Sequence, residues 1–234
     1  MTVEADPKAT QRSPLSRDRI LRAAVELADR TGIESLTMRK LAAELGVEAM
    51  TLYYYVARKD DLLNGIADIV VGEIALPAPG GEWEAAIRAS AVSAHEVLLR
   101  HPWACNLMMS PARVRPARLQ FMEALLGRLR AAGFSPGLTL LAYHALDSHI
   151  LGFTLWEIGY SVGTAELAED VPAFLRELHL SDYPNLAEHV EQHLAGSDRD
   201  ESEFEFGLDL ILDGLAKIKQ AADAGTTADA GTTA

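Results

Sequence analysis

The chain has 234 residues, of which 49% are apolar and only one, Cys105, is a cysteine. That length allows a small domain together with a larger one, and a single cysteine excludes an internal disulfide. No apolar run reaches the ~20 residues of a membrane-spanning helix, and the N-terminus lacks the apolar core of a signal peptide. We therefore expect a cytoplasmic protein with no membrane partner, in which Cys105 is a small buried apolar side chain.

The net charge of −13 argues at first against a nucleic-acid partner. The acidic excess, however, is confined to one part of the chain. Residues 1–64 contain ten basic and ten acidic side chains, whereas residues 65–234 contain eleven and twenty-four. An acidic body repels DNA and helps to orient a neutral or basic end toward it, so the charge balance does not exclude DNA binding.

In chain order, residues 1–15 are polar and predict a disordered N-terminal arm. Four basic side chains lie in this arm or just after it: Lys8, Arg12, Arg17 and Arg19. Either they contact DNA phosphates, or they belong to a solvated tail that binds nothing. Apolar residues at helical spacing then predict a helix from Ser16 to Arg30, ended by Gly32.

The stretch from Thr37 to Lys59, TMRKLAAELGVEAMTLYYYVARK, predicts two short helices joined by a tight turn. Met38, Leu41, Ala42 and Leu45 form one apolar stripe after a capping threonine. Gly46 can adopt the left-handed conformation that ends a helix, and a second helix begins at about Glu48 or Ala49. Three adjacent tyrosines cannot all enter one core, because successive helical side chains point ~100° apart. The stretch is therefore interpreted as a DNA-binding helix-turn-helix.

The remaining chain is predicted to be helical, which makes the fold class all-α: a three-helix helix-turn-helix domain (16–64), a helical ligand-binding and dimerisation domain (65–220) and a disordered tail (221–234). A fourth helix runs from Arg58 to about Leu76, and PAPGG breaks the chain at 77–81. Further helices are expected at 83–99, 103–109, 115–132, 136–161, 165–178, 183–196 and 203–219.

The stretch from about Ile20 to Leu63 resembles the DNA-binding domain of the tetracycline-repressor family. The residues that carry the resemblance are AAVELADRTGIESLTMRKLAAELGVEAMTLYYYVARKDDLL. The later part is similar to the C-terminal domain of that family in Trp83, LLxHP at 98–102, LxxLxxxGF ending at Phe134, and EFGLDLILDGL at 205–215. The resemblance implies a homodimeric, ligand-responsive transcriptional regulator, most often a repressor, in which each monomer reads one half-site of a double-stranded operator.

The resemblance also implies roles for individual residues of the helix-turn-helix. Phosphates would be held by Thr37, Thr51, Tyr55 and Lys59. Arg39 would reach a guanine edge or a phosphate; the alternative is a surface ion pair with Glu44 or Glu48. Ala49 and Met50 would contact thymine methyls at the tip, Tyr53 would touch backbone and base, and Tyr54 is expected to pack inward.

For the C-terminal domain, aromatic and sulfur side chains with two histidines predict an apolar effector cavity with a few polar groups. The candidate ligand residues are Trp103, Met108, Met109, Phe121, His144, His149, Phe153 and Trp156. Packing of the core or of a dimer is the alternative for most of them. The effector is unknown. The magnesium-ligating histidines of tetracycline-binding members correspond to Met108 and about Ala75 here, which argues against magnesium–tetracycline.

A metal site, a cofactor or an enzymatic activity is not predicted. His189 and His193 lie four residues apart, but Val190 occupies the place of the glutamate that zinc peptidases require, and a nucleophile pattern, a P-loop and a dinucleotide fingerprint are missing from the sequence. A hydrolase in the histidine-bearing body is one alternative. Another is a helical interaction protein whose head has lost DNA binding, against which Arg39, Tyr53, Tyr55 and Lys59 argue.

Overall fold

A computed structural model describes residues 14–109, 115–167, 180–194 and 202–230. The regular elements in these ranges are helices, which confirms the all-α prediction. Two short 3-10 turns accompany ten α-helices in the described ranges: α1 Arg17–Thr31, α2 Met38–Leu45, α3 Ala49–Leu52, α4 Lys59–Val71, α5 Trp83–Arg100, α6 Trp103–Met108, α7 Pro116–Ala131, α8 Pro136–Leu167, α9 Pro184–Leu194 and α10 Glu203–Ala230.

The chain divides into two compact units, residues 1–69 and residues 70–234, and α4 runs across the division. The arm expected at 1–15 falls almost entirely outside the described residues. None of the described helices is both long enough and apolar enough to cross a bilayer.

The first unit is built around a core shared by α1, α2, α3 and the start of α4. Its central side chains are Ile20, Leu41, Leu52, Leu62 and Ile66, each without measurable exposure. Burying one such side chain stabilises a fold by roughly 1.5–3 kcal/mol. Helices α1 and α4 approach closely at Gly65, where an added Cβ would lie 2.6 Å from a methyl of Leu21.

The second unit packs α5, α7, α8 and α10 against one another. The largest fully buried side chains of its core are Phe121, Phe134 and Phe204. On the surface, Arg88 of α5 donates to Asp209 and Glu205 of α10 at 2.8 Å each. Those two carboxylates raise the pKa of the Arg88 guanidinium further above its usual range, so a guanidinium that stays charged links α5 to α10.

Helix ends differ from the sequence predictions at three places. Helix α4 ends at Val71 rather than near Leu76, because Gly72 follows and the next amides form tighter i→i+3 bonds, from Glu73 to Val70 and from Ile74 to Val71. Helix α8 continues to Leu167, past the expected end at 161, and most of the helix predicted at 165–178 lies outside the described residues.

The last helix extends furthest beyond its prediction. The expected end at Lys219 is wrong, because α10 continues to Ala230 through most of the segment predicted to be disordered, 221–234. Alanine has the highest helix propensity of all residues, and the segment is rich in it. Lys219 also pairs with Asp223 at 2.8 Å, one turn further along. Residues 231–234 lie outside the described residues.

Candidate DNA-binding surface and effector-binding residues

The turn between α2 and α3 is fixed by local backbone chemistry. The Thr37 side chain caps α2 by accepting a hydrogen bond from the Lys40 amide at 3.2 Å. At the other end Gly46 adopts the left-handed conformation (φ 67°, ψ 37°), and the amide of Val47 donates to the carbonyl of Ala42 at 3.0 Å. These bonds form a Schellman-type C-cap, so the predicted capping threonine and turning glycine are both confirmed.

Helix α3 is short, but its helical turn continues past Leu52. Tyr53 retains right-handed helical angles (φ −66°, ψ −17°), and the amides of Tyr55 and Val56 donate to the Leu52 carbonyl at 3.0 and 2.9 Å. Leu52 and Val56 are buried, with 0% and 2% exposure. Their side chains point toward α2 and the core. The other side chains of this turn therefore lie outside the core.

The three tyrosines are all exposed. Tyr53 is 44% exposed and Tyr55 is 39% exposed, whereas Tyr54 is 89% exposed. The prediction that Tyr54 packs inward is therefore wrong. Because Tyr54 lies ~200° around the helix from Leu52, it points away from the direction that Leu52 and Val56 already occupy. Met50 is 69% exposed, and Ala49 and Thr51 are half-buried on the flanks.

The cations around this surface are available to a partner. Arg39, Lys40, Arg58 and Lys59 are exposed, and each lacks an ion pair or side-chain hydrogen bond with any residue that the structure describes. The ion pair considered as an alternative for Arg39 is not formed with Glu44, which instead accepts from Arg30 at 2.8 Å. Thr37, which was predicted to hold a phosphate, is also exposed, on the same helix-turn-helix.

The predicted effector residues fall into different environments. Trp103 and Phe121 are buried in the second unit, Met108 is half-buried, and His144 is exposed with its ring 5.6 Å from that of Tyr143. Met109 is largely exposed. Three candidates do come together in one aromatic cluster: His149, Phe153 and Trp156.

An aromatic cluster joins α8 to α5 and α10. The imidazoles of His95 and His149 both stack on the Phe204 ring, with centroid distances of 3.9 and 4.9 Å. The Phe153 ring approaches the Phe204 ring edge-on, with a centroid distance of 5.7 Å. The Phe153 ring also lies at a tilt to the Trp156 ring, with a centroid distance of 5.4 Å. Sequence analysis missed His95 and Phe204, because residues so far apart in the chain carry no local pattern that pairs them.

His95 is the polar centre of this cluster. The Thr154 hydroxyl donates to the Ile150 carbonyl, which leaves its oxygen to accept from the His95 Nδ1–H at 2.8 Å. With the proton on Nδ1, the unprotonated Nε2 lies 3.2 Å from a carboxyl oxygen of Glu157 and accepts a hydrogen bond from it when that carboxyl group is protonated. Burial, aided by His149, lowers the pKa of His95 to about 4, and burial also raises the pKa of Glu157. The imidazole is therefore neutral at physiological pH.

A second polar group missed by sequence analysis lies between α7 and α8. Arg118 is almost completely buried and donates through Nη2 to both carboxylate oxygens of Asp147, at 2.7 and 2.8 Å. The same nitrogen lies 3.3 Å from the Tyr143 hydroxyl, and the guanidinium lies over the Phe121 ring. Burial raises the pKa of the Tyr143 phenol, so this network is one neutralised ion pair with a protonated tyrosine.

A surface cleft of about 390 Å³ lies where the α7–α8 turn meets α10. It is lined by Arg130, Gly133, Phe134, Ser135, Pro136, Leu138, Lys219, Ala222 and Asp223. This lining includes none of the predicted effector residues.

The remaining predicted features concern metals and thiols. Cys105 is fully buried, and burial raises the pKa of its thiol to about 11; it is a packing residue rather than a reactive group. Among the residues that the structure describes, metal-binding clusters of histidine, cysteine or carboxylate groups are not found. His189 and His193 lie on α9, although the side chain of His193 is outside the described part of the chain.

Both units match domains of one family of regulatory proteins. The family "Bacterial regulatory proteins, tetR family" matches residues 20–66, and "Tetracyclin repressor-like, C-terminal domain" matches residues 76–218, more than half of the chain. The chain belongs to the tetR family. It is therefore a helix-turn-helix transcriptional regulator that binds DNA, and the resemblance drawn from the sequence is confirmed.

Two proteins of similar sequence are HTH-type transcriptional regulators. An HTH-type transcriptional regulator of Saccharopolyspora erythraea is 39% identical over 179 residues, which cover 74% of each chain. The HTH-type transcriptional repressor DrrR1 of Streptomyces coeruleorubidus is 32% identical over 219 residues, covering 89% of this chain and 80% of that protein.

Two solved structures share the fold over nearly their whole length. ActR of Streptomyces coelicolor, in complex with actinorhodin, has a TM-score of 0.68 and 29% identity and covers 88% of this chain and 99% of its own. BioQ, bound to its natural double-stranded DNA operator, has a TM-score of 0.58 and 26% identity and covers 87% of this chain and 99% of its own.

Proposed function

We propose that this regulator is a homodimeric repressor that a small, largely apolar effector releases from its operator. The observation that carries the proposal is the outward surface of α2 and α3. It combines exposed tyrosines with exposed cations that the described part of the chain does not pair. Phenols and cations of this kind hold phosphates, and the second helix of a helix-turn-helix enters the major groove.

The division of roles on this surface follows from chemistry and position. Tyr55, Thr51 and Thr37 each donate through one hydroxyl, and Lys59 donates through its ammonium group. These four side chains supply phosphate contacts, which set orientation and register. Arg39 has the planar fork that suits a guanine edge. Its guanidinium is exposed and free of any partner among the described residues.

The homodimer is supported by an apolar surface on the second unit. Large apolar side chains of α8 and α10 are exposed to solvent in the single chain: Leu141, Trp156, Phe206, Leu210 and Ile218. The two helices pack against each other, and glycines at 152 and 159 lie among the exposed positions of α8. A second copy of the same two helices would bury these side chains in a two-fold, four-helix interface.

The effector site is proposed at the cluster of His95, His149, Phe153 and Phe204, near Trp156. The half-buried Phe153 and the exposed Trp156 offer apolar ring surface, and His95 and Glu157 supply polar atoms to one edge. This composition favours a planar, largely apolar molecule with few polar groups. The solved complex of the family member ActR with actinorhodin is an example of a ligand bound by a relative. Such an effector releases DNA only if it binds the DNA-free state more tightly than the DNA-bound state.

Fluorescence anisotropy tests the proposal with labelled duplexes from upstream of the protein's own coding region. We expect binding that is sequence-specific and falls steeply with salt concentration. Planar polycyclic aromatic compounds, screened by thermal shift, should include some that stabilise the protein and dissociate the complex. His149→Ala should weaken those compounds without changing DNA affinity in their absence. Stabilisers that leave DNA binding unchanged would contradict effector control.

A further inference from the structure

The outermost part of the α3 turn is formed by Met50 and Tyr54. These side chains are four residues apart, hence ~40° apart around a helix, and both lie opposite the buried Leu52 and Val56. They are also the most exposed large hydrophobic side chains of the described helix-turn-helix, at 69% and 89%. Tyr53 and Tyr55 lie on the two flanks. A helix that enters the major groove with its buried face toward the protein presents Met50 and Tyr54 to the bases.

The chemistry of this outermost pair is apolar. A thioether donates no hydrogen bond, and a phenol ring offers one hydroxyl at its far end. Ala49, beside them, has only a methyl group. The bidentate hydrogen bonds that identify guanine or adenine need a guanidinium or an amide, and α3 has neither. In the major groove, the one apolar group on a base edge is the C5-methyl of thymine.

We infer that Met50 and Tyr54 read thymine methyl groups, and that Tyr54 is a specificity-determining residue of this protein. The inference rests on the proposed DNA-binding function. Four residues of helix span ~6 Å, and successive bases of one strand lie ~3.4 Å apart. The two side chains therefore reach thymines one or two base-pair steps apart in each half-site.

A different role for Tyr54 would be a hydrogen bond from its hydroxyl to a phosphate. The two roles separate cleanly. A ring contact with a methyl group survives in Tyr54→Phe and depends on the thymine methyl, whereas a phosphate contact is lost in Tyr54→Phe and is indifferent to the base. Because the Tyr54 side chain is exposed and has no hydrogen bond to any described residue, neither substitution removes a contact that the fold needs.

The test starts from duplexes selected in vitro from a random library with the full-length protein. In the selected half-site, each thymine is replaced in turn by deoxyuridine, which lacks only the methyl group. Removing one buried methyl should weaken the wild-type complex about fourfold at one or two thymines of each half-site. Met50→Ala should abolish that difference at one of these thymines and Tyr54→Ala at the other. Tyr183→Ala is the matched control, because Tyr183 is an exposed tyrosine of the second unit.

The experiment distinguishes failure of the thymine-methyl inference from failure of DNA binding itself. A sequence-specific complex that binds thymine and deoxyuridine duplexes equally at every position overturns this inference and leaves the repressor proposal intact. So does a loss in Tyr54→Phe that equals the loss in Tyr54→Ala on both kinds of duplex, which assigns Tyr54 to the phosphates. Failure of the selection to enrich any sequence, with no salt-sensitive complex, overturns both.

Discussion

Gly207→Ala provides a direct test of the aromatic cluster. An added Cβ at Gly207 would lie 2.6 Å from Cε1 of His149, closer than two carbon atoms can approach. The imidazole cannot retreat freely, because it stacks on Phe204 at 4.9 Å and its Nε2 lies 2.9 Å from the Phe204 carbonyl oxygen. Overpacking of this kind costs about 1–3 kcal/mol, and losing the hydrogen bond costs about 1 kcal/mol more.

Helix propensity acts in the opposite direction at this position. Replacing glycine by alanine within a helix stabilises it by about 1 kcal/mol, so the net expected loss is about 1–3 kcal/mol. At ~2–4 °C per kcal/mol for a protein of this size, the midpoint of thermal unfolding should fall by several degrees. Circular dichroism at 222 nm measures it.

Gly127→Ala is the matched control, since a Cβ there meets no described atom within 4 Å. It lies inside α7 and should raise the midpoint by a few degrees. The double variant Gly207→Ala, His149→Ala should recover part of the loss because the clashing ring is gone. If Gly207→Ala stabilises the protein as much as Gly127→Ala does, the close packing of His149 against α10 is refuted.

Two further predictions concern acid stability and assembly. The folded state lowers the pKa of His95 to about 4, so the unfolded chain binds more protons between pH 6.5 and 4, and stability should fall as the pH drops through that window by at most about 3 kcal/mol. Urea titrations should show a flatter pH dependence in His95→Gln, and an identical dependence would count against a buried neutral imidazole. Leu210→Asp places a charge in the apolar surface of α8 and α10, and sedimentation should detect a monomer. Glu96→Asp, on the exposed face of α5, is the control that should leave the dimer unchanged; a dimeric Leu210→Asp would reject that interface.

The helix-turn-helix was predictable because its determinants are local. A capping threonine, an apolar stripe and a left-handed glycine act within a few residues of one another, and each is confirmed at Thr37, α2 and Gly46. Tyr54 was not predictable from the family pattern. Its orientation depends on Leu52 and Val56 occupying the inward direction, and a pattern of three tyrosines does not state how far each of them is exposed.

The effector cluster was only partly predictable for a related reason. His149, Phe153 and Trp156 lie on one helix, and their spacing is visible in the sequence. Their partners His95 and Phe204 come from α5 and α10, and only tertiary packing brings those rings to 3.9 Å. The same holds for Arg118 and Asp147, which pair across α7 and α8. The helical extension to Ala230 differs from the prediction because repeated small residues are typical of disordered tails, whereas alanine favours helix.

The central claim, that the outward surface from α2 to the first residue of α4 contacts DNA, is tested most directly by the salt dependence of operator binding. Tyr55→Ala combined with Lys59→Ala removes two proposed phosphate contacts from exposed side chains. Anisotropy titrations at several salt concentrations should show weaker binding to every sequence and a flatter slope of log K against log salt. An unchanged slope and affinity in the double variant would contradict the account.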